Sequence, residues 1–364
     1  MIDSKSDQIP LESAQDDQDS GYQVLARKYR PMDFSELIGQ EAMIRTLTNA
    51  FETGRLAHAF ILTGVRGVGK TTTARIIAKA LNCIDKEEPT INPCGKCEMC
   101  TAISEDRHLD VYEMDAASRT GVDDIRELIE GVRYKPVSSR YKVYIIDEVH
   151  MLSRNAFNAL LKTLEEPPKH VKFIFATTEI RKVPVTVLSR CQRFDLRRVN
   201  IVTLSNHFAE IVNKENAKIS EQSLSLIARV SDGSVRDGQS LLDQIITTSC
   251  QEDRMIEERD VREILGLADR EKTFELLEQV LRGDIGDALK TVQQDYTNGS
   301  PPLSILQDLL ELVHLLTRIR VAPSVLEDLS YTETERGRGR ALAEKLSMAS
   351  LARAWQMLLK GIAE

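Results

Sequence analysis

Short apolar runs alternate with amphipathic segments over residues 21–199. Four runs rich in β-branched or aromatic residues predict strands: AFIL at 59–62, VYEM at 111–114, VYII at 143–146 and VKFIFAT at 171–177. Apolar side chains recur at helical spacing between these runs, over 72–82, 123–132 and 155–166. The pair Pro167-Pro168 is expected to end the third helix. This alternation predicts an α/β fold, with helices on both faces of a parallel sheet.

The rest of the chain has helical patterns and no convincing strand. Residues 200–266 predict a small helical domain, and 267–364 predict a second one with strong amphipathic patterns over 274–281 and 305–316. The stretches TNGSPP and TETERGRGR are expected to be loops. With a polar, acidic tail over 1–20, the chain is expected to have four parts.

Composition limits the classes of protein that fit. With 364 residues, 42% of them hydrophobic, the chain is long enough for two or three domains with real cores. Its most apolar stretch, 303–319, contains Asp308, Glu311 and His314, which predicts an amphipathic helix and no membrane span. The acidic first residues lack the apolar segment of a signal peptide, so a solvated tail is expected. A net charge of −8 argues against a uniformly basic surface for nucleic acid but permits a local basic path.

The stretch GVRGVGKT at 64–71 matches the phosphate-binding motif G-x4-G-K-[ST] in full. It follows the strand AFILT and opens the helix TTARIIAKAL, which is the context that this motif requires. Glycines let backbone N–H groups converge on phosphate oxygens, and the helix N-terminus adds its dipole. Lys70 is expected to reach the β- and γ-phosphates, and Thr71 to bind Mg²⁺. The predicted nucleotide contacts of this loop are Gly64, Val65, Arg66, Gly67, Val68, Gly69, Lys70, Thr71 and Thr72.

Two further strand ends carry polar residues that suit such a site. Asp147 and Glu148 follow the buried run VYII, at the strand end where ligands bind in open α/β sheets. Asp147 is expected to hold the Mg²⁺ shell, and Glu148 to orient and polarise the attacking water. The run FATTE ends another strand, where Thr177, with Thr178 as second choice, is expected to contact the γ-phosphate. The structural alternatives are an ordinary acidic pair and a strand that simply ends in threonines.

Several longer motifs resemble the family of bacterial DNA polymerase III gamma/tau subunits, the AAA+ ATPases of the sliding-clamp loader. The resemblance is carried by YQVLARKYRPMDFSELIGQE, GVRGVGKT, DAASRTGVDDIREL, IIDEVHMLSRNAFNALLKTLEEPP and LSRCQRFDL. It implies an ATPase domain over 21–199, a helical lid over 200–266, and a helical collar over 267–364 that joins five subunits in a ring. It also implies that the chain uses ATP to open a sliding clamp and load it onto primer–template DNA.

The resemblance assigns further site residues. LSRC places Arg190 in the motif whose arginine reaches the ATP of a neighbouring subunit, in trans, and GSVRDGQS places Arg236 as the lid arginine that contacts phosphates in cis. A structural arginine paired with a carboxylate of its own chain is the alternative for Arg190. Arg193 and Arg197 lie outside the motif. The expected walls of the adenine pocket are Tyr22, Arg30, Pro31 and Ile38.

Four of the six cysteines lie within residues 83–100, which predicts a metal site, because so few cysteines in a long chain do not suggest a disulfide framework. The family carries a small zinc module here, and its ligands would be Cys83, Cys94, Cys97 and Cys100. Four thiolates suit a closed, structural Zn²⁺ site. An iron–sulfur cluster and free thiols are the alternatives, although a ferredoxin-like run adds a fourth cysteine shortly downstream, where this chain has TAIS.

The resemblance implies that ATP, Mg²⁺ and Zn²⁺ are the cofactors, and it implies partners. These are delta and delta-prime subunits and further copies of the chain in a pentameric ring, the beta sliding clamp, and primer–template DNA bound through its backbone. The positions that match the family's DNA contacts are Arg119, Thr120, Arg154 and Lys162, with a solvated surface residue as the alternative for each. No membrane partner is expected, and the expected location is the cytoplasm, at the nucleoid. The chain ends at LLKGIAE, where one more collar helix is expected.

Two other functions compete with that of an ATP-driven clamp loader. One is a non-hydrolysing structural subunit of the same ring, which the presence of Lys70, Asp147, Glu148 and Arg190 argues against. The other is a remodelling ATPase that translocates on branched DNA as a uniform hexamer. The cysteine-rich insertion and the LSRC motif disfavour that second alternative.

Overall fold

The computed structural model describes residues 22–119, 121–249, 254–265, 270–297, 301–327 and 333–364. The strands are β1 Ala59–Thr63, β2 Val111–Asp115, β3 Lys142–Asp147, β4 Val171–Thr177 and β5 Gln192–Asp195. The helices that accompany them are α1 Leu25–Lys28, α2 Glu41–Glu52, α3 Lys70–Asn82, α4 Glu98–Ser104, α5 Val122–Val132, α6 Arg154–Glu165 and α7 Val185–Leu188. The helices that follow are α8 Ile201–Lys214, α9 Glu221–Val230, α10 Val235–Ser249, α11 Glu258–Ile264, α12 Arg270–Arg282, α13 Ile285–Thr297, α14 Pro302–Val321, α15 Glu333–Lys345 and α16 Met348–Ala363.

The five strands form one parallel sheet in the order β2-β3-β4-β1-β5. Asp115 of β2 pairs in register with Asp147 of β3, and Thr63 of β1 pairs with Thr177 of β4. The carboxyl ends of these strands therefore meet at one edge of the sheet, where the loop after β1 also begins. The predicted α/β fold is confirmed.

The sheet is covered on both faces. On one face Phe60 and Leu62 pack with the apolar side of α3, and on the other Ile61 and Phe173 pack with α5 and α6. Strands β1 and β4 are buried along their whole length, which is why they read as continuous apolar runs with no alternation. Burial of each large side chain contributes about 1.5–3 kcal/mol, so the sheet forms a rigid base for its carboxyl edge.

Helices α8 to α11 enclose a separate apolar cluster that includes Leu204, Phe208 and Ile227. Leu25 of α1 and Val199 join this cluster, so the N-terminal segment is anchored on the helices that follow the sheet domain. Helix α10 approaches α8 closely at Gly238, because a Cβ atom there would lie 2.2 Å from Cζ of Phe208. This packing sets the position of the first turn of α10 next to the sheet domain.

Helices α12 to α16 enclose a further cluster around α14, whose Leu312 and Leu316 are fully buried. Glu311 and His314 lie on the exposed side of α14, as its amphipathic pattern predicts. No helix among the described residues is long and apolar enough to cross a membrane.

The prediction that TETERGRGR is a loop is wrong for the described part of this stretch, because 333–340 lie in α15. Thr332 lies outside the described residues. Contacts with other helices outweigh the low helix propensity of its glycines. Arg338 forms an ion pair with Glu278 of α12 at 3.1 Å and lies over the ring of Phe274. Gly339 allows close approach to α14, since a Cβ atom there would lie 3.0 Å from Cδ1 of Ile319.

Two other differences from the predicted elements are small. Strand β5 was not predicted, because Phe194 is its only apolar residue and no run marks it. In TNGSPP, residues 298–300 lie outside the described residues, and Pro302 is the first residue of α14. Proline suits that position because the first turn of a helix has no partner for its N–H groups.

Candidate active site and metal centre

A cavity of about 720 Å³ lies at the carboxyl edge of the sheet, a size typical of small-molecule sites. Three parts of the chain line it: the segment that contains α1, the sheet domain, and helices α8 and α10. The residues that line the cavity include Arg30, Pro31, Leu37, Ile38, Arg66, Gly67, Val68, Gly69, Lys70, Thr71, Thr72, Asp115, Asp147, Glu148, His207, Val235, Arg236, Gln239 and Ser240.

The loop between β1 and α3 depends on two glycines for its shape. Gly64 has φ +154° and Gly67 has φ +75°, values that other residues rarely adopt. A Cβ atom at Gly64 would lie 2.7 Å from the carbonyl oxygen of Leu196, and one at Gly67 would lie 1.9 Å from Oγ of Ser234. The N–H of Arg236 donates to the carbonyl of Gly67 at 3.2 Å. The first turn of α10 therefore rests directly on this loop.

Lys70 and Thr71 begin α3 at the floor of the cavity. The ammonium group of Lys70 is buried and donates to the carbonyl oxygens of Gly64 at 3.1 Å and Val65 at 3.0 Å. Burial lowers the pKa of Lys70, while the nearby carboxylates of Glu148 and Asp147 act in the opposite direction.

Oγ1 of Thr71 donates to Oδ2 of Asp147 at 2.5 Å. A hydroxyl and a carboxylate thus meet beside the loop, and these oxygen donors suit Mg²⁺ that also binds phosphate. The residues present therefore fit the predicted magnesium site.

Glu148 follows β3 with a left-handed backbone, at φ +44° and ψ +44°. Its N–H donates to Oδ1 of Asp147 at 2.8 Å. Its Oε2 accepts hydrogen bonds from Oγ1 of Thr178 at 3.0 Å and from the N–H of Thr178 at 3.3 Å. The carboxylate is therefore held against the end of β4 and lines the cavity.

Thr177 lies deeper than Thr178. It is fully buried, and its hydroxyl lies 3.0 Å from Nδ1 of His150 and accepts from the N–H of Glu179 at 3.0 Å. Neither threonine lines the cavity. The second choice of the sequence prediction, Thr178, is the one that contacts Glu148.

Three of the four predicted adenine contacts line the cavity, namely Arg30, Pro31 and Ile38. Tyr22 does not: it is 71% exposed, and its hydroxyl lies 3.3 Å from Oγ1 of Thr247. Burial, followed by the positive charge of Arg75, lowers the pKa of Arg30. Arg30 lines the cavity together with Arg66, Lys70 and Arg236, and these cations suit a polyanionic ligand.

Cys83, Cys94, Cys97 and Cys100 come together on the far end of α3, with their sulfur atoms all within 4.8 Å of one another. Backbone N–H groups donate to these sulfurs, from Cys94 to Cys83 and from Cys97 to Cys94, each at 3.3 Å. Burial raises the pKa of Cys97, but N–H groups of Cys100 and Ile84 outweigh it and bring the pKa to about 7. Burial raises the pKa of Cys100.

These four sulfurs fit a single metal ion. In a tetrahedral zinc site with bonds of about 2.3 Å, the sulfurs lie about 3.8 Å apart. A cage for a cluster of several iron atoms has to be larger. A buried thiolate such as that of Cys100 also needs a nearby cation to remain ionised.

Three family models match the chain in succession. They are described as DNA polymerase III, delta subunit, over 39–200, as DNA polymerase III clamp loader subunit, ATPase lid domain, over 203–251, and as DNA polymerase III subunits gamma and tau domain III, over 256–364. The DNA polymerase III subunit gamma of Buchnera aphidicola subsp. Baizongia pistaciae is 41% identical over 316 residues, which cover 86% of this chain and 83% of that protein. The chain belongs to the DNA polymerase III gamma/tau family. The resemblance seen in the sequence is confirmed.

Other relatives of this gamma/tau chain are longer. The DNA polymerase III subunit tau of Salmonella typhimurium is 41% identical over 341 residues, which cover 93% of the chain and 52% of that protein. The chain thus spans about half the length of such relatives. Among solved structures, the Thermotoga maritima RuvB Holliday junction branch migration motor has a TM-score of 0.49 at 20% identity, and covers 70% of this chain and 79% of that one.

Arg190 lies just after α7 and outside the cavity of its own gamma/tau chain. Its Nη2 forms an ion pair with Oε1 of Glu165 at 2.6 Å, and its Nη1 donates to the carbonyl of Thr186 at 2.6 Å. Within one chain Arg190 is thus paired with its own carboxylate, while Arg236 lines the cavity. The role of Arg190 in trans stays a prediction.

The predicted DNA contacts are exposed where the structure describes them. Arg119 follows β2 and donates to the hydroxyl of Tyr112 at 2.9 Å. Arg154 is the first residue of α6, and Lys162 lies in its last turn. Thr120 lies outside the described residues. Exposed cationic side chains suit backbone phosphates, and the roles of these residues stay predictions.

Several polar residues of the cavity were not predicted from the sequence, among them Asp115, His207 and Gln239. Asp115 ends β2 beside Asp147, and its position after the run VYEM was a usable signal. His207 and Gln239 lie on α8 and α10, with their Nε2 atoms 3.3 Å apart. Burial lowers the pKa of His207. No local pattern marks these two residues, because only the packing of two helices brings them to the cavity.

Proposed function

We propose that this chain binds and hydrolyses ATP as a subunit of the DNA polymerase III clamp loader, which opens the sliding clamp and places it on primer–template DNA. The observation that carries the proposal is the joint position of Lys70, the Thr71–Asp147 pair and Glu148 in one cavity that α10 covers. Membership of the gamma/tau family supports the clamp-loader context.

Each residue of the cavity has a part in the proposed reaction. Lys70 exchanges its carbonyl partners for oxygens of the β- and γ-phosphates, and the N–H groups of residues 66–71 surround the phosphates. Thr71 and Asp147 would hold Mg²⁺, which would supply positive charge beside the phosphates. Glu148 accepts a hydrogen bond from the attacking water and orients it. Arg236 contacts the phosphates from α10.

Arg190 serves the nucleotide of the neighbouring subunit. A guanidinium supplied in trans is worth roughly 10³–10⁵ in rate, so hydrolysis depends on assembly. Its ion pair with Glu165 is half-exposed, and such pairs contribute only about 0–1 kcal/mol. Exchange of this partner for a phosphate therefore costs little.

The proposed partners are those of a ring of five subunits. The chain assembles with further copies of itself and with delta and delta-prime subunits, and acts on the beta clamp in the cytoplasm, at the nucleoid. Arg119, Thr120, Arg154 and Lys162 contact the DNA backbone. The four clustered cysteines hold a structural Zn²⁺ ion, which takes no part in the chemistry.

Native mass spectrometry of the chain with its partner subunits and the clamp tests this assembly. A ring of five subunits with several copies of the chain is expected, together with ATPase activity that rises when clamp and primed DNA are added. A uniform hexamer would indicate a remodelling ATPase instead. A ring of five without hydrolysis in this chain would indicate a purely structural subunit.

A further inference from the structure

We infer that His150 is a positioning residue for Glu148, and that it keeps one carboxylate oxygen directed at the attacking water. The inference rests on the proposed function, because it gives His150 a part only if Glu148 orients the water. Three observations carry it: the contacts of the imidazole, the unequal use of the two oxygens of Glu148, and the backbone of the turn.

The imidazole of His150 lies in a closed polar pocket. It belongs to the turn Val149–Met151 directly after Glu148, and its side chain is only 7% exposed. Nδ1 lies 3.0 Å from Oγ1 of Thr177 and 3.4 Å from Oε2 of Glu148. Nε2 lies 3.5 Å from Oε1 of Glu179. The ring therefore bridges Glu148 to the end of β4 with one nitrogen and reaches Glu179 with the other.

The two oxygens of Glu148 are used differently. Oε2 faces Nδ1 of His150 and also accepts from the hydroxyl and the N–H of Thr178. Oε1 has no hydrogen-bond partner among the described residues. A carboxylate anchored through one oxygen presents the other in a defined direction. Because Glu148 lines the cavity, Oε1 is the oxygen available to a water beside the γ-phosphate.

The backbone of Glu148 makes this anchoring necessary. Its left-handed conformation, at φ +44°, is unfavourable for a residue with a side chain and persists only where the surroundings fix it. His150 lies two residues later, in the turn that follows Glu148. The backbone of this turn therefore holds the ring beside the carboxylate. Loss of the ring leaves Thr178 as the remaining anchor of Oε2 and opens space on its other side, so the carboxylate can tilt. A misplacement of about 1 Å can reduce a rate about 100-fold.

Two amide substitutions distinguish the contributions of the two ring nitrogens of His150. The amide nitrogen of asparagine can occupy the position of Nδ1, and that of glutamine the position of Nε2. In His150→Asn the contact with Glu148 and Thr177 is therefore kept, and in His150→Gln only the contact with Glu179 is kept. His150→Ala keeps neither. The three variants are measured as the full chain assembled with its clamp-loader partners, clamp and primed DNA.

We expect single-turnover hydrolysis in His150→Asn within about threefold of the parent, and about 10- to 100-fold slower hydrolysis in His150→Gln and His150→Ala. ATP affinity should stay within about twofold of the parent in all three variants. Loss of a merely structural residue next to the site would weaken ATP binding as well. In a Glu148→Gln chain, His150→Ala should slow hydrolysis no further, because the two residues act as a unit.

Hydrolysis at the parent rate in His150→Ala, or equal losses in His150→Asn and His150→Gln, would overturn the inference. If His150→Ala folds poorly, the difference in rate between His150→Asn and His150→Gln still tests the inference, since both new side chains are polar and differ by one methylene. Glu148→Gln alone separates this inference from the proposed function. A parent rate in Glu148→Gln would refute the role of Glu148 itself, whereas a slow Glu148→Gln beside unaffected His150 variants would refute only the part given to His150.

Discussion

In the proposed mechanism, different residues at the carboxyl edge bind the nucleotide and orient the attacking water. Lys70 and Thr71 lie at the start of α3, beside the loop that would surround the phosphates, whereas Glu148 is anchored to β4 through Thr178. Substitutions on the two sides should therefore change different steps. The Thr71–Asp147 hydrogen bond joins the two sides at the position of the expected metal ion.

Lys70→Ala should abolish tight ATP binding, because it removes the buried cation that meets the β- and γ-phosphates. Glu148→Gln should leave binding intact and slow hydrolysis by about 100-fold or more, since a neutral amide orients and polarises the attacking water far less than a carboxylate does. Glutamine keeps the shape and the backbone conformation of glutamate at this position. Equilibrium binding of a fluorescent ATP analogue and single-turnover hydrolysis measure the two effects. Equal hydrolysis in Glu148→Gln and parent would contradict the role of this carboxylate.

Residues within local motifs could be predicted from the sequence, and residues brought together by packing could not. Lys70 and Asp147 are fixed by a loop and a strand that each follow a clear apolar run. The preference for Thr177 over Thr178 concerns the γ-phosphate and stays a prediction. The pattern of a fully buried strand does not tell which of the two adjacent side chains meets Glu148, and in the structure it is Thr178. Tyr22 lies before α1 and does not line the cavity, although Val24 and Ala26 do.

Helices α3 and α15 differ in what they contribute to the molecule. Helix α3 begins at Lys70 and is capped at its C-terminus by Cys83, so it connects the phosphate loop to the cysteine cluster. Helix α15 carries no site but closes the apolar cluster around α14. Both can be tested by substitutions that leave the active site untouched.

Cys94→Ser or Cys97→Ser should lower the metal content and the folding yield, because each removes one of four ligands from a closed site. One Zn²⁺ per chain is expected in freshly purified parent protein by elemental analysis. Cys191→Ser is the matched control, since Cys191 lies outside the cluster, and it should keep the metal. Iron, or no metal at all, in the parent protein would contradict the zinc assignment.

Gly339→Leu should destabilise the helices around α14 by about 1–3 kcal/mol, because the new side chain would overlap Ile319. Gly337→Ala, two residues earlier in α15, should be neutral or stabilise by up to about 1 kcal/mol, since a Cβ atom there meets nothing within 4 Å. Calorimetric unfolding of both variants measures the difference. Equal effects would mean that α15 does not pack on α14 as described.

The misassigned elements have physical causes of the same kind. Helix α15 is rich in charge and holds two glycines, and its contacts with α12 and α14 stabilise it. Strand β5 has a single apolar residue, Phe194, yet it pairs with β1 along its length. Contacts with other elements determine the structure of α15 and β5. The long apolar runs of β1 and β4, by contrast, are recognisable from their own sequence.

At the scale of the whole molecule, Arg190 lies apart from the cavity of its own chain. The cavity is covered by α10 of the same chain, whereas Arg190 pairs with Glu165 outside it. In the proposed ring, Arg190 of one subunit completes the site of the next, and hydrolysis waits for assembly on clamp and DNA.

A mixing experiment tests this arrangement. An Arg190→Ala chain keeps its phosphate loop, and a Lys70→Ala chain keeps Arg190, so mixed rings contain some intact loops that face an intact arginine. DNA-stimulated ATPase activity should recover in part in the mixture and be absent from either parent assembly. Native mass spectrometry confirms that both chains share one ring. In such rings, a lack of recovery would mean that Arg190 acts within its own subunit.

The direct connection through α3 restricts how the length of this chain can vary. Deletion of one residue from this helix of 13 residues would turn Cys83 by about 100° around the axis and shift it by about 1.5 Å relative to Lys70. Either the fully buried Cys83 would leave the cysteine cluster, or Lys70 would leave the loop. Residues 84–88, by contrast, are exposed and follow the helix. Insertions and deletions among gamma/tau relatives are therefore expected in this exposed stretch, with the length of α3 unchanged.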